Sequence, residues 1–403
     1  MAESISSMTL YLAGGGCKDL YPWNLVLEEG FSRLYRGELT VLSEKKHSME
    51  ELCGLLDKGI SVSLTQKAGI GDVLRTRYLH GIVTGARCAG VLSDGQKKDC
   101  YQYVLTVEPE LARLKFTQLT APFYRTNPPE IFETILKKYG LEVRIEQNYI
   151  SRTKYGKTLL FDQANASDFG FICSMAKLYG ISFTFVHPQA SATALSAATL
   201  YFSDGEKFPR SDVVYSDKRK EPDVVSFDFL SAREAQSQWK MNAWTVGQTI
   251  GFDGFKLYAP YPNATYGSDT WKWGKTELGD RYISQWRLFH NYERETENSE
   301  VDKDIKLLLE VQRLTTEQDK VRWTAEAENL ALRPGLILEL GHFYGKKDPD
   351  IMTALVTDIT LRHRARWPVD LAAAEDPGGE LTEVRGSCVD WGKDAEKRFC
   401  PAR

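Results

Sequence analysis

Long apolar runs are missing from this chain. Stretches such as Leu10 to Ala13 and Leu371 to Ala374 fall far short of the roughly 20 residues that span a bilayer, so no membrane insertion is expected. Met1 to Ser7 is polar, with neither a basic nor an apolar leader segment. That pattern predicts no secretory signal and synthesis in the cytoplasm. A strong charge of either sign is also absent: 51 Lys and Arg face 55 Asp and Glu, a net of -4. This balance argues against nucleic-acid binding. Cysteines are few and odd in number, seven with no CxxC spacing, so neither a disulfide framework nor a zinc cluster is expected. Histidine is scarcer still. No two of His47, His80, His187, His290, His342 and His363 lie within five residues, which removes HExxH-type zinc motifs. The GxSxG elbow and the P-loop are absent too.

What is present is an ordinary globular composition, 42% hydrophobic and 26% charged over 403 residues, enough for two to four compact units. Ile60, Val62 and Leu64 alternate with serines, and Tyr101, Tyr103, Leu105 and Val107 alternate with Gln102, Val104 and Thr106. That is the period-2 signature of half-buried strands. Arg75 to Cys88 is a further extended run, joined by the Ser93-Asp94-Gly95 turn signal to the Tyr101 strand, which predicts a hairpin. Ser48 with Glu51 forms a capping box for a short helix. One short helix among five or six antiparallel strands predicts a small barrel.

Pro128-Pro129 then opens a helix with Ile131, Ile135, Leu136 and Tyr139 on one face and Gly140 beyond its end. Ser167 caps a second helix with a stripe of Phe169, Ile172, Cys173 and Ala176, stopped by Gly180. The strand Ile181 to Val186 follows. Residues 190–198 read as a loop. Residues 245–300, dense in Gly, Asn, Asp, Tyr and Trp with little periodicity, read as a long ordered insertion. A helix is expected over Val301 to Leu314. Strand-like runs at Val321–Ala327, Leu336–Leu340 and Ala354–Arg362 suit a second barrel.

Candidate chemistry yields to simpler readings. Gly14-Gly15-Gly16 lacks a following helix start and reads as a hairpin turn rather than a phosphate cradle. His80, mid-strand, reads as a packed or surface strand residue. Glu108 with Glu110, and Glu326 with Glu328, read as solvated charges on strand faces rather than a glycosidase pair. Trp239, Trp244, Trp271, Trp273 and Trp286 suit aromatic packing better than stacking on sugars. No catalytic residue, cofactor or metal is assigned, and an enzyme is not expected.

Three collinear stretches resemble the VgrG-type spike proteins of type VI secretion and the related phage late-control D and tail baseplate hub proteins. The first is Glu29-Gly-Phe-Ser-Arg-Leu-Tyr-Arg-Gly-Glu-Leu-Thr-Val-Leu-Ser43, with Gly37 where an aromatic is usual. The second is Arg77-Tyr-Leu-His-Gly-Ile-Val83, followed by Tyr103 to Glu108. The third runs from Asn127-Pro-Pro-Glu-Ile-Phe132 through Asp168-Phe-Gly-Phe-Ile172 to Tyr179-Gly-Ile-Ser-Phe183. Ala331-Leu-Arg-Pro-Gly335 is similar to a later family motif.

The resemblance implies a β-rich α+β protein with two similar antiparallel β-barrels, an α+β domain between them and a further inserted region. The barrels are expected at 1–116 and 223–368, the latter holding the insertion at about 245–300, with the α+β domain at 117–222. Residues 369–403 read as a linker and the start of an OB-like spike segment. The implied role is a structural hub of a contractile injection machine, a homotrimer between a hexameric tube ring and a spike or tip protein, or a spike domain of the chain's own. A baseplate-associated peptidoglycan-degrading enzyme and a carbohydrate-binding adhesin are the alternatives. Tyr78, His80, Ile82, Tyr101, Tyr103, Leu336 and Leu338 mark the candidate barrel or interface strands.

Overall fold

Alternating apolar residues need a partner strand on each side and a core on one face, and the computed structural model supplies both. It describes residues 6–13, 19–68, 73–92, 99–140, 159–189, 195–204, 225–227, 241–248, 254–260, 266–272, 283–287, 291–292, 297–327, 330, 332–340, 352–365 and 379–388. The expected turns at Gly14-Gly15-Gly16 and Ser93-Asp94-Gly95, and most of the 369–403 segment, lie outside them.

Six strands come first: β1 Ser6–Leu12, β2 Tyr21–Gly30, β3 Arg36–Ser43, β4 Gly59–Ala68, β5 Val73–Leu92 and β6 Cys100–Glu108. They pair in the order β1-β4-β5-β6-β3-β2. Helix α1, Met49–Cys53, sits between β3 and β4. Ser48 Oγ accepts from the Glu51 N–H at 3.2 Å and the Glu51 carboxylate accepts from the Ser48 N–H at 2.8 Å, the reciprocal box that satisfies two end donors. The half-sheet curls until β1 comes against β2. Its interior holds Leu25, Leu27, Leu39, Val41, Ile60, Val62, Leu64, Leu79, Val83, Leu105 and Val107, all fully buried. Each such side chain contributes about 1.5–3 kcal/mol relative to exposure.

Gly81 lies where β5 crosses close to the end of β6. A Cβ there would stand 2.5 Å from the Glu108 carbonyl oxygen and 3.0 Å from the Tyr35 hydroxyl. Because the first obstacle is backbone, the strand itself must move. Gly81→Ala is expected to cost about 1–3 kcal/mol, read as a lower midpoint of urea unfolding with an unchanged slope; an unaltered midpoint would refute the close approach.

The middle of the chain forms a second core. Strand β7 Leu119–Thr126 pairs with β8 Leu159–Ala166, and β9 Ser182–Val186 pairs with β10 Thr199–Ser203. Helices α2 Pro128–Lys138 and α3 Asp168–Tyr179 pack on them. Asn127 and Ser167 cap the two helices through the N–H groups of Glu130 and Gly170, both at 3.0 Å. Gly180 ends α3 at φ 66°, a left-handed turn that favours glycine. The buried face of α3 is Phe171, Ile172, Met175, Ala176 and Tyr179, with Phe169 and Cys173 half-buried at its border. The expected stripe was therefore rotated toward solvent, because the helix meets neighbours over a wider arc than one row of residues.

The last part returns to the first sheet. Its strands are β11 Val225–Phe227, β12 Met241–Gln248, β17 Val321–Ala327, β18 Ile337–Leu340, β19 Met352–Arg364 and β20 Gly379–Cys388. Between β12 and β17 lie a three-stranded sheet, β13 Gly254–Pro260, β14 Tyr266–Lys272 and β15 Ile283–Arg287, the short β16 Asn291–Tyr292, and helix α4, Asn298–Lys320. Val301, Ile305, Leu308 and Leu309 of α4 and Leu257 of β13 enter the same core as α2 and α3. No described helix is long and apolar enough to cross a membrane.

Two features organise the whole. First, β2 pairs with β19 along Asn24–Gly30 and Arg364–Asp358, so the early and late strands belong to one sheet of 12 described strands. Second, the late strands pair as β11-β18-β19-β20-β17-β12, the same order in chain terms as the first six. The repetition extends to irregularities. An extra residue bulges from β5 against β6 between Val83 and Gly85, and from β19 against β20 between Val356 and Asp358. Another bulges from β2 against β3 between Pro22 and Asn24, and from β12 against β17 between Asn242 and Thr245. Two differences stand: β1 meets β4 antiparallel whereas β11 meets β18 parallel over three residues, and β5 carries a further bulge against β6 between Cys88 and Gly90 that the β19–β20 pairing lacks.

Candidate functional site

The seam where the two half-sheets meet is locked by a buried polar cluster. Glu29, on β2 and 5% exposed, forms an ion pair with Arg77 of β5. Arg77 Nη1 also donates to the carbonyls of Leu332 at 2.7 Å and Leu330 at 3.3 Å, on the segment between β17 and β18. His187, just beyond β9, approaches the second Glu29 oxygen with Nε2 at 3.2 Å, while its Nδ1 accepts from the His80 backbone N–H at 3.1 Å. Since Nδ1 accepts, Nε2 carries the hydrogen that faces the carboxylate. The cluster thus ties together the first half-sheet, the middle domain through His187 and, through Arg77, the segment leading into the second half-sheet.

Burial alone would raise the pKa of Glu29, but the Arg77 charge and the hydrogen bonds from His187 and Arg77 outweigh it and hold the carboxyl at about 2. His80 is fully buried. Its Nε2 donates to the Pro188 carbonyl at 2.8 Å and its Nδ1 lies 2.9 Å from Ser61 Oγ. Burial depresses its pKa, against the pull of the Pro188 carbonyl, so the ring stays neutral. The Tyr35 hydroxyl donates to the His80 carbonyl, and its ring meets His187 edge-on at 4.9 Å. At the end of the seam Arg33 donates to the Glu29 carbonyl at 2.7 Å and faces Asp358 at 3.4 Å.

Of the seven marked residues, His80, Ile82, Tyr103 and Leu336 are buried within the chain, and Tyr78 and Tyr101 are partly buried. Leu338 lies on β18, opposite Ala354 of β19 and Val225 of β11. Tyr103 pairs with Val41 of β3 and Cys88 of β5, and its hydroxyl accepts from the His47 N–H at 2.8 Å. The Glu29–Arg77–His187 cluster went unmarked, although Glu29 and Arg77 both stand in the motif stretches quoted above. Their spacing gives no sign that they meet.

Of the carboxylates weighed as a glycosidase pair, Glu108 is engaged by its neighbours. Glu108 accepts from Thr84 at 2.8 Å and from Lys115 at 2.9 Å. Burial raises its pKa less than these bonds and the Lys115 charge lower it, the opposite of what a general acid needs. Glu328, Trp239 and Trp273 lie outside the described residues.

Among the strand edges with no partner among the described strands, two belong to the half-sheets' long outer strands. Beyond Val83, β5 pairs only with β6, because β4 ends its pairing at Ile82. This edge exposes Arg87, Cys88, Ala89, Val91 and Leu92, with Val91 at 51%. The other open edge is that of β12 opposite β17, at the end of the sheet.

Comparison with known proteins adds a family. The model of the phage tail baseplate hub (GPD) matches residues 28–250, more than half of the chain. No curated protein matches. Among solved structures, the E. coli c3393 protein, described as a component of the type VI secretion system similar to the T4 bacteriophage tail proteins gp27 and gp5, aligns at TM-score 0.57 and 15% identity over 98% of this chain and 80% of that one. The tail protein from Neisseria meningitidis MC58 aligns at TM-score 0.58 and 10% identity over 99% of both chains. A lidded Francisella PdpA-VgrG complex aligns at TM-score 0.55 and 10% identity over 96% of this chain and 53% of that one. At such identities the likeness establishes a shared fold.

Proposed function

This chain belongs to the phage tail baseplate hub family, a structural component of tail-like machines, and we propose that three copies of it close into a ring joining a sixfold tube to a threefold spike or tip. It is made in the cytoplasm and incorporated into the machine, and it works without catalysing a reaction. The observation that carries this reading is the repeated strand order, β1-β4-β5-β6-β3-β2 against β11-β18-β19-β20-β17-β12. A closed interface between rings of different symmetry needs matching contact surfaces. A chain with two equivalent half-sheets offers two such surfaces, so three copies present six.

The buried seam fits the same task. Tube docking loads the two half-sheets against each other, and a rigid joint keeps their spacing constant. Light scattering on the purified protein is expected to give a trimer of about 137 kDa, three times 45.7 kDa. A monomer at micromolar concentration would refute the ring.

A further inference from the structure

We infer that the bare edge of β5, residues 85–92, is completed by β12 of a second copy of this chain. This rests on the ring reading above and specifies the contact that would build it. The repeat supplies the template. Within one chain, β19 has β20 on one side, and on the other side β18 along 352–355 and β2 along 358–364. In the same scheme β5 has β6 on one side and β4 along 73–82 on the other. The place equivalent to β2 is vacant among the described strands. Its equivalent in the second half is β12, whose own outer edge has no partner among the described strands.

Within the chain β12 is not placed at this gap: it ends the sheet seven pairings from β5, through β6, β3, β2, β19, β20 and β17, and pairs only with β17 among the described strands. The β12 of a second copy is not tied to that position, and the head-to-tail contact it makes generates a ring when the rotation closes. The edge also has the composition of a covered surface. Ala89, Val91 and Leu92 are exposed with Arg87 as the lone charge among residues 85–92, whereas edges meant to stay in water carry charges or proline.

The bulges set the register. Gly85 follows the β5 bulge as Asp358 follows that of β19, so Leu361, which pairs with Leu27, corresponds to Cys88. The β12 counterpart of Leu27 is Gln248 when the β2 and β12 bulges are superposed, and Val246 when the register is carried through β6 and β20. Both keep the same face. Cys88 is an exposed free thiol, and Cα atoms opposite each other in antiparallel strands stand about 4.5–5.5 Å apart, within disulfide reach.

The experiment uses the full chain. Val246→Cys and Gln248→Cys are oxidised mildly, and the products are separated without reductant. At least one variant is expected to convert more than half of the protein to dimer and trimer bands that collapse on reduction. The same variant with Cys88→Ser, and Gly247→Cys on the opposite face, are expected to stay monomeric on the gel. A trimer by light scattering with no Cys88-dependent link in either variant would overturn the strand pairing while leaving the ring intact. A monomer by light scattering would overturn both.

Discussion

Arg77→Met is expected to destabilise the fold by roughly 3–5 kcal/mol, the usual cost of removing one partner of a buried ion pair. The side chain of Glu29 is as enclosed as that of Arg77, 7% against 10% exposed, so the deserted carboxylate has no water to turn to. Two carbonyls, of Leu330 and Leu332, lose their donor in the same step. The loss falls on the joint between the half-sheets, so ring assembly is expected to fail along with stability. Adding Glu29→Gln to Arg77→Met removes the stranded charge and is expected to recover over half of the loss. Chemical unfolding of the two variants measures both effects; a loss below about 1 kcal/mol for Arg77→Met would show that the cluster is not a lock.

Acid is expected to unfold the protein in two overlapping steps. His363, fully buried on β19, has its pKa pushed by burial from 6.5 down to about 4, against the pull of the Ser7 carbonyl. The unfolded chain takes up that proton before the folded one does. Stability is therefore complete above pH 6.5 and falls between 6.5 and 4. Glu29, held at about 2 against 4.5, adds stability present above pH 4.5 and lost as pH falls toward 2. Each shift corresponds to roughly 3 kcal/mol. His80, also depressed, adds to the first step. Unfolding free energy measured from pH 8 to 3 is expected to be flat at the top and to decline below 6.5. His363→Leu is expected to flatten the upper decline and leave the lower one. An unchanged profile in that variant would assign the upper step elsewhere.

These effects depend on contacts that no local pattern announces. Glu29 and Arg77 are separated by two strands and a helix, and His187 by the whole of α2 and α3. Each looks like a common surface charge or a lone histidine until the chain is folded. The pairing of Leu361 with Leu27 is equally silent, because a strand's alternation says which face is buried and nothing about its neighbour. The exposed edge of β5 is hidden for the same reason: residues 85–92 look like any other part of the strand.

Short-range features were legible. The Ser48–Glu51 box, the Pro128 start of α2, and the Ser167 and Gly180 ends of α3 appear where the residues placed them, since a cap forms between groups three or four residues apart. The collinear motifs were legible as a family resemblance, and the hub family matches. The sequence by itself determined the capped ends of α1, α2 and α3 and the alternation of strands such as β4, β6 and β17, because these follow from contacts along the chain. Only the tertiary structure decided which strand lies beside which and that the Glu29–Arg77–His187 cluster links three parts of the chain. Those facts arise from hydrogen bonds and charges between segments remote in sequence, whose encounter is set by the packing of the whole chain.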